Sequence, residues 1–456
     1  MSDFVLLLIV LVEGFVTISA EILTMRQIAP VAGNSVVVTS LIIGVFLLFL
    51  AYGYRRGGEY QKNYMTILKR NFTKSAIWLG IGLSFAVIDL FFYYFQRYIS
   101  SEILAALMAY LLLVTAPLVY ILGQTVPITM ELIKKAKTVG EVGGKILHLS
   151  TIGSFLGAVL TSLLLMNYLG VAWTIVINYL LLMLLAFVLF RDKKKDFVRG
   201  LVLCGVFVFV FVLNITLGNH MFVKTNAYTN YRVINQDNNK ILALNNSLSS
   251  MVTREKKGFP YIEFIKRVMF QDLALTNKNI LVLGAGGFTL SAEGSHGNRF
   301  VYVDIDKDMY SVVRNHVVYP VHGEFVAKDA RDFLNSNHEK FDVIISDVYS
   351  HERSIPAHLL TQEYFIQIKQ NLQPHGEAFF NIIGHPTLED VFSKTMDNTI
   401  RSVFTNCMVI PLQYSNQMTN IIYVCRNSGD DPKKWFQLYW DDLNRATLDF
   451  FKLKNH

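Results

Sequence analysis

Seven long apolar runs fill the first half of the chain, at residues 4–24, 35–54, 75–94, 103–122, 152–169, 171–190 and 200–217. Each approaches the roughly 20 residues that a helix needs to cross bilayer hydrocarbon. A backbone in lipid must satisfy its own hydrogen bonds, so helices are expected rather than strands. Runs five and six are separated by little more than residues 167–170, which predicts a tight helical hairpin. After Gly218 the period changes. Residues 228–234 and 240–243 predict a short β-hairpin around Gln236, Asp237, Asn238 and Asn239, and residues 260–275 predict an amphipathic helix. A strand–helix rhythm follows, with strands expected at 279–283, 299–304, 324–327, 342–346 and 377–382. Such alternation predicts a parallel, doubly wound sheet. Two late strands are expected at 406–412 and 419–426. The aromatic tail after Pro432 (Trp435, Phe436, Tyr439, Trp440) predicts a helix docked by its aromatic face. The expected domains are a multi-pass helical membrane domain of about seven helices (1–217), a β-hairpin and linker segment (218–277) and an α/β domain (278–456).

Composition sharpens this division. Of the 456 residues 52% are hydrophobic and 17% charged, against about a quarter charged in soluble domains. Residues 1–217 hold 17 Lys and Arg and 10 Asp and Glu; the rest holds 42 − 17 = 25 basic and 35 − 10 = 25 acidic residues. The net +7 therefore belongs to the helical half, and a balanced second half argues against a nucleic-acid partner. Basic residues mark three loops: Arg55, Arg56, Lys62, Lys69 and Arg70; Lys134, Lys135, Lys137 and Lys145; Arg191, Lys193, Lys194, Lys195 and Arg199. The excess of basic residues in cytoplasmic loops puts all three, and the N-terminus, inside an inner (cell) membrane. A seventh crossing would then place the second half outside, whereas an intracellular ligand would want it inside. The side is left open. No cleavable signal peptide is expected, because the start is not basic and the first apolar run is too long. Cys204, Cys407 and Cys425 are too few for a disulfide framework, and Cys407 with Cys425 reads as two packed thiols, with a bridge between them as the alternative. No metal-ligand spacing occurs. His351, His358 and His385 read as satisfied surface histidines. Glu13, Glu21 and Asp89 lie inside apolar runs, where a carboxylate marks either a substrate path or a structural pair. Glu21 has Arg26 nearby for such a pair. Gly153, Gly157 and Ala158 suit close helix packing.

Chemistry is expected at the strand ends, where open α/β sheets bind ligands. The strand at 279–283 runs into Gly284, Ala285, Gly286 and Gly287, a turn that lets backbone approach a ligand. The next strand ends at Asp304, eighteen residues past Gly286, where a carboxylate can accept both hydroxyls of a ribose. Its rival reading, a helix cap, suits Asp306 better. Asp329 follows the third strand, from which it can face an adenine amino group or cap a helix. Asp347 closes the fourth, behind four successive apolar-to-small positions 343–346. Four such features in order are more specific than any one.

With these residues in place, about residues 225–426 resemble the spermidine synthases, the aminopropyltransferases, whose fold is the Rossmann-like class I methyltransferase type. The whole chain resembles bacterial membrane proteins in which that domain follows transmembrane helices. The resemblance rests on Ala227 to Val233 as the opening segment, Tyr261-Ile262-Glu263, the turn at 284–287, Asp304, Asp329, the strand into Asp347, and Leu360 to Phe365. It implies Asp347 as the catalytic acid or base; Gly284, Gly286, Asp304 and Asp329 as donor-binding residues; and Tyr261, Glu263 and Tyr349 as substrate-binding residues. It implies an adenosyl sulfonium donor, decarboxylated S-adenosylmethionine, as co-substrate, a small amine acceptor, no tightly bound cofactor, no metal and a dimer. Three positions depart from the family. Gly287 stands where the family has an acid holding the donor amine, Ser350 where a second acid follows the catalytic one, and Ser249 or a neighbour where a Gln is usual. The expectation is therefore a nucleoside half of the site retained and a tail or acceptor that is not standard, with Glu263, Glu352 and Asp347 left for one ammonium. Two alternatives stand beside it: an S-adenosylmethionine-dependent methyltransferase, and a polyamine transporter or sensor with a non-catalytic nucleoside-binding domain.

Overall fold

The computed structural model describes residues 2–454 apart from 34, 134–137, 191–194, 349–355, 416, 429–436 and 443. The chain forms two compact units, Met1–Asn230 and Tyr231–His456. The first extends past the last apolar helix because its tail is tied down. Arg26 donates to the Asn226 carbonyl at 2.9 Å and to Asn230 Oδ1 at 2.7 Å. The Thr225 hydroxyl, on the short strand β1 (Lys224–Thr225), takes the Val171 amide at 3.3 Å.

Among the described residues, five helical stretches are long and apolar enough to cross a bilayer: Asp3–Ala32, Val36–Gly58, Ile103–Ile133, Val139–Val188 and Asp196–Met221. Helices Tyr64–Gly82 and Phe85–Tyr98 add a sixth if they are one span bent by 67°. The 50-residue stretch would be about 75 Å long as a straight rod. It is not one. Thr161 and Asn178 both donate to Ser19 Oγ at 2.8 Å, which a straight helix cannot arrange for residues 17 apart (~25 Å). The chain reverses between them at Gly170, where φ is 84° and ψ 171°, the hairpin expected from runs five and six. Counting its second arm adds one apolar helix to the five, or six with the bent pair, among the described residues. Helices Asp3–Ala32 and Val139–Leu160 meet through glycines: a Cβ at Gly153 would overlap the Leu11 carbonyl, and one at Gly157 the Phe15 carbonyl. Between two other elements, Lys69 Nζ and Asp196 Oδ2 form a buried ion pair at 2.6 Å. Glu13 is buried and accepts from the Thr17 hydroxyl at 2.7 Å.

The second unit begins with a meander of β2 (Asn230–Gln236), β3 (Asn239–Leu244) and β4 (Ser247–Val252). Asp237 and Asn238 turn the first hairpin, with φ of 50° and 65°, as a two-residue primed turn requires. The third strand was not expected from the sequence. The main sheet comprises β5 (Asn279–Leu283), β6 (Arg299–Asp304), β7 (Glu324–Ala327), β8 (Phe341–Ser346), β9 (Leu372–Gly384), β10 (Asn406–Pro411) and β11 (Thr419–Arg426). Their order is β10-β11-β9-β8-β5-β6-β7, with β5 to β9 parallel and β11 antiparallel to both neighbours. Side chains alternate between two faces. Leu281, Leu283, Val301 and Ile344 join a core with Phe365, Phe392 and Phe450. Ile280, Val282, Phe300 and Val343 join another with Ile265 and Val313.

Two sequence readings need correction. Cys407 and Cys425 are a disulfide, not two thiols, because they stand directly opposite in the β10–β11 register. The tail helix is Ala446–Lys454, later than the aromatic cluster. Tyr439 is buried against Phe392, whereas Trp440 is 44% exposed. Trp435 and Phe436 lie outside the described residues.

Candidate active site

The strand order places β5 between β6 and β8, so successive connections leave its C-terminal end in opposite directions. A crevice opens at such a switch point, and Gly284 lies there. Its amide donates to the Val303 carbonyl at 2.9 Å, and the Asp347 amide donates to the Leu283 carbonyl at 2.9 Å. Gly284 has φ 88°, and a Cβ on it would overlap the Asp347 carbonyl. Glycine therefore sets both the turn and the approach of β8. Gly284→Ala is expected to lower stability and weaken any adenosyl ligand together, by at least the ~1–3 kcal/mol of an ill-suited backbone conformation. Thermal melting and ligand titration of the variant test this; unchanged values would show that the turn relaxes freely.

Asp304 reaches back from β6 to the same turn. Its Oδ2 accepts the Ala285 amide at 3.1 Å and its Oδ1 the Asp306 amide at 3.0 Å. Burial pushes its carboxyl up to about 6 against these hydrogen bonds. The folded state thus holds a proton that the unfolded chain loses near 3.8, and stability falls as pH rises between those values. Asp304→Asn lacks that loss. Its melting temperature relative to wild type should climb from pH 4 to pH 7; a pH-independent difference would refute the buried titration.

Asp329 caps helix Ala330–Ser336, its Oδ1 accepting the Arg331 and Asp332 amides at 2.8 and 3.2 Å. Its Oδ2 faces His358 Nε2 at 3.2 Å. The cap holds the carboxylate beside β6, because the preceding Lys328 amide donates to the Asp304 carbonyl at 2.9 Å. Capping and ligand contact are compatible, since a carboxylate has several acceptor sites.

Asp347 is half-buried and held on both oxygens. The Tyr261 hydroxyl donates to its Oδ2 and the Asn381 amide nitrogen to its Oδ1, each at 2.9 Å. Asn381 Oδ1 in turn accepts from Asn420 Nδ2 at 2.9 Å. Burial raises the Asp347 carboxyl above its ordinary range, and the Asn381 and Tyr261 bonds pull it back. A carboxylate so held is oriented and has more affinity for a proton than an exposed one.

Gly284, Asp304 and Asp347 thus surround one turn, with Tyr261 bonded to Asp347 and Asp329 one strand further along. Glu263 points elsewhere: its Oε1 accepts the Gly258 amide at 2.7 Å and Lys266 Nζ at 2.9 Å. Lys266 also binds Glu293 at 2.9 Å. Tyr349, Ser350, His351 and Glu352 lie outside the described residues.

Two further residues emerge from the fold. Asn381 is a lone amide in the apolar run of β9, a signal the sequence did carry. Ser250 carries no such signal. Its Oγ accepts the Gly287 amide at 2.7 Å, and a Cβ at Gly287 would stand 2.6 Å from the Ser250 Cβ. Beside Gly286 the same Oγ would be 3.1 Å from an added Cβ. Among the described residues no cluster of three His, Cys, Asp or Glu is arranged to hold a metal.

Residues 259–430 match the family described as the spermine/spermidine synthase domain. The polyamine aminopropyltransferase of a Synechococcus species is 38% identical over 121 residues, 24% of this chain and 38% of that protein. Polyamine aminopropyltransferase 2 of Pseudomonas aeruginosa is 28% identical over 139 residues, 28% of this chain and 40% of that protein. The chain thus spans about two fifths of the length of these relatives. A solved structure, a probable spermidine synthase from Corynebacterium glutamicum, aligns with TM-score 0.39 and 20% identity, over 46% of this chain and 79% of that one. Residues 259–430 are thus similar to the spermine/spermidine synthase domain and to these aminopropyltransferases.

Proposed function

We propose that the chain is a membrane-embedded aminopropyltransferase-type enzyme. Its second unit binds an adenosyl sulfonium donor, and the apolar helices of the first anchor it as a multi-pass protein of the inner membrane. The observation that carries the reaction is the half-buried Asp347 carboxylate, held by Tyr261 and Asn381 beside the Gly284 turn. Asp304 accepts the ribose hydroxyls and Asp329 the adenine amino group. The amine nitrogen of the acceptor attacks the carbon next to the sulfonium. The carbon–sulfur bond breaks, its electrons stay on sulfur, and methylthioadenosine leaves. The proton of the new ammonium passes to Asp347. Positioning and proton acceptance are what the protein supplies, because the sulfonium is already a good leaving group.

Ser250 bears on the donor tail. The space beside Gly287, where the family's acid would hold the donor amine, is taken by a hydroxyl. Glu263 is neutralised by Lys266. The site is thereby short of carboxylates for a cationic tail, and a buried cation without an anionic partner is costly. A donor that keeps its own carboxylate, S-adenosylmethionine itself, suits this neutral wall, and with it methyl transfer is the second reading.

Calorimetry of the purified chain with S-adenosylmethionine, its decarboxylated form and methylthioadenosine tests the nucleoside site; no heat from any of them ends it. Product analysis with each donor and an amine mixture separates aminopropyl from methyl transfer. Uptake of putrescine into proteoliposomes, lost in Asp89→Asn, would favour the transporter reading instead.

A further inference from the structure

The first unit holds a second polar site. A cavity of about 220 Å3 opens between helix Tyr64–Gly82 and the helical segment Ala116–Gly123. Its floor is organised by Gln124, which is buried. Gln124 Oε1 accepts from Asn71 Nδ2 at 2.9 Å and from the Tyr60 hydroxyl at 3.3 Å, while its Nε2 donates to the Tyr120 carbonyl at 3.2 Å. A network of this kind fixes the shape of the cavity rather than filling it.

Arg70 and Lys74 line the same cavity, one helical turn apart. No carboxylate is among its described lining residues, and among the described residues neither cation has an ion-pair partner. Their neighbour Lys69 makes the contrast: it is buried in an ion pair with Asp196. The helix neutralises the cation that enters the bundle and leaves uncompensated the two that face the cavity. Arg70 and Lys74 are exposed at the mouth of this open cleft, and two positive charges with no carboxylate among the described lining residues favour an anion. The cleft of about 220 Å3 has room for a phosphate group with a small ester substituent. A guanidinium fork beside an ammonium suits phosphate oxygens.

The geometry points to a phosphate-binding site formed by Arg70, Lys74 and the Asn71–Gln124 floor, occupied by the headgroup of an anionic phospholipid. The cavity lies beside the basic loop around Arg55 to Arg70, which the charge distribution puts at the inner face, where basic pockets between helices meet anionic headgroups. The lipid source rests on the membrane reading of the first unit; the phosphate chemistry does not.

Native mass spectrometry of the full chain in a neutral detergent tests this with phosphatidylglycerol, phosphatidylcholine, inorganic phosphate and glycerol 3-phosphate. Phosphatidylglycerol should bind well above phosphatidylcholine. Binding should weaken about thirtyfold in Arg70→Gln/Lys74→Gln and about fivefold in Lys74→Gln alone, with melting temperatures unchanged. Lys62→Gln, an exposed cation outside the cavity, should bind as wild type. Equal binding by the double variant, an equal loss in Lys62→Gln, or no preference for any phosphate ligand overturns the site. Soluble phosphates binding as tightly as the lipid, and lost in the double variant, keep the site but overturn the lipid source. Alkaline carbonate extraction addresses the membrane reading separately: release of the chain ends that reading and leaves the soluble phosphate arms to judge the cavity alone.

Discussion

Asp347→Asn is expected to lower kcat by about two to four orders of magnitude while leaving methylthioadenosine affinity within a fewfold of wild type. The two side chains are nearly isosteric. The new carbonyl oxygen can keep the Asn381 bond, and the new amide can donate to the Tyr261 oxygen, which accepts as readily as it donates. Geometry and nucleoside binding are thereby preserved, and what disappears is a group able to take the ammonium proton. Wild-type activity should also fall with decreasing pH through a value above the ordinary carboxylate range, because burial raises the Asp347 carboxyl and its protonated form cannot act as acceptor. Tyr261→Phe removes one of the bonds that pull this value down, so the acidic limb of the profile should move to higher pH. That displacement identifies Tyr261 as a positioning residue; a lowered rate at every pH with an unmoved limb would not. A variant Asp347→Asn that turns over at the wild-type rate would remove the acid from the mechanism.

Asp196→Ala should be the most damaging single change in the helical unit. Lys69 and Asp196 are 2.6 Å apart, with side chains 9% and 4% exposed. Asp196 also accepts from Arg199 at 3.0 Å. Truncating the acid strands the Lys69 ammonium in a buried position, at a cost of about 3–5 kcal/mol. The remedy is to remove the charge as well. In Lys69→Met/Asp196→Ala most of the loss should return, because much of the effect of the single change is an uncompensated ion rather than a lost attraction. Thermal unfolding of the purified chain in detergent reads both variants. An Asp196→Ala protein within about 1 kcal/mol of wild type would mean that the Lys69 head reaches water.

Sequence periodicity located most of the elements, though not β4 or the tail helix. Apolar runs of about twenty residues located the long helices. A strand–helix alternation located β5, β6, β7 and β11 to the residue, and the acids at the ends of three parallel strands marked the crevice. These signals are local: a side chain's face follows from its position in a 3.6- or 2-residue period, and a strand-end glycine or acid is visible beside its strand. Only the tertiary structure decided which of those residues meet. It brought Thr161 and Asn178 to one Ser19 hydroxyl, turned Glu263 toward Lys266, set Ser250 against Gly287 and closed Asn381 over Asp347. Each of these contacts joins elements far apart in the chain except the Glu263–Lys266 pair, whose outcome depends on Glu293. No short-range pattern encodes them, because they are settled by how whole faces pack and by which buried polar atoms must find partners once water is gone.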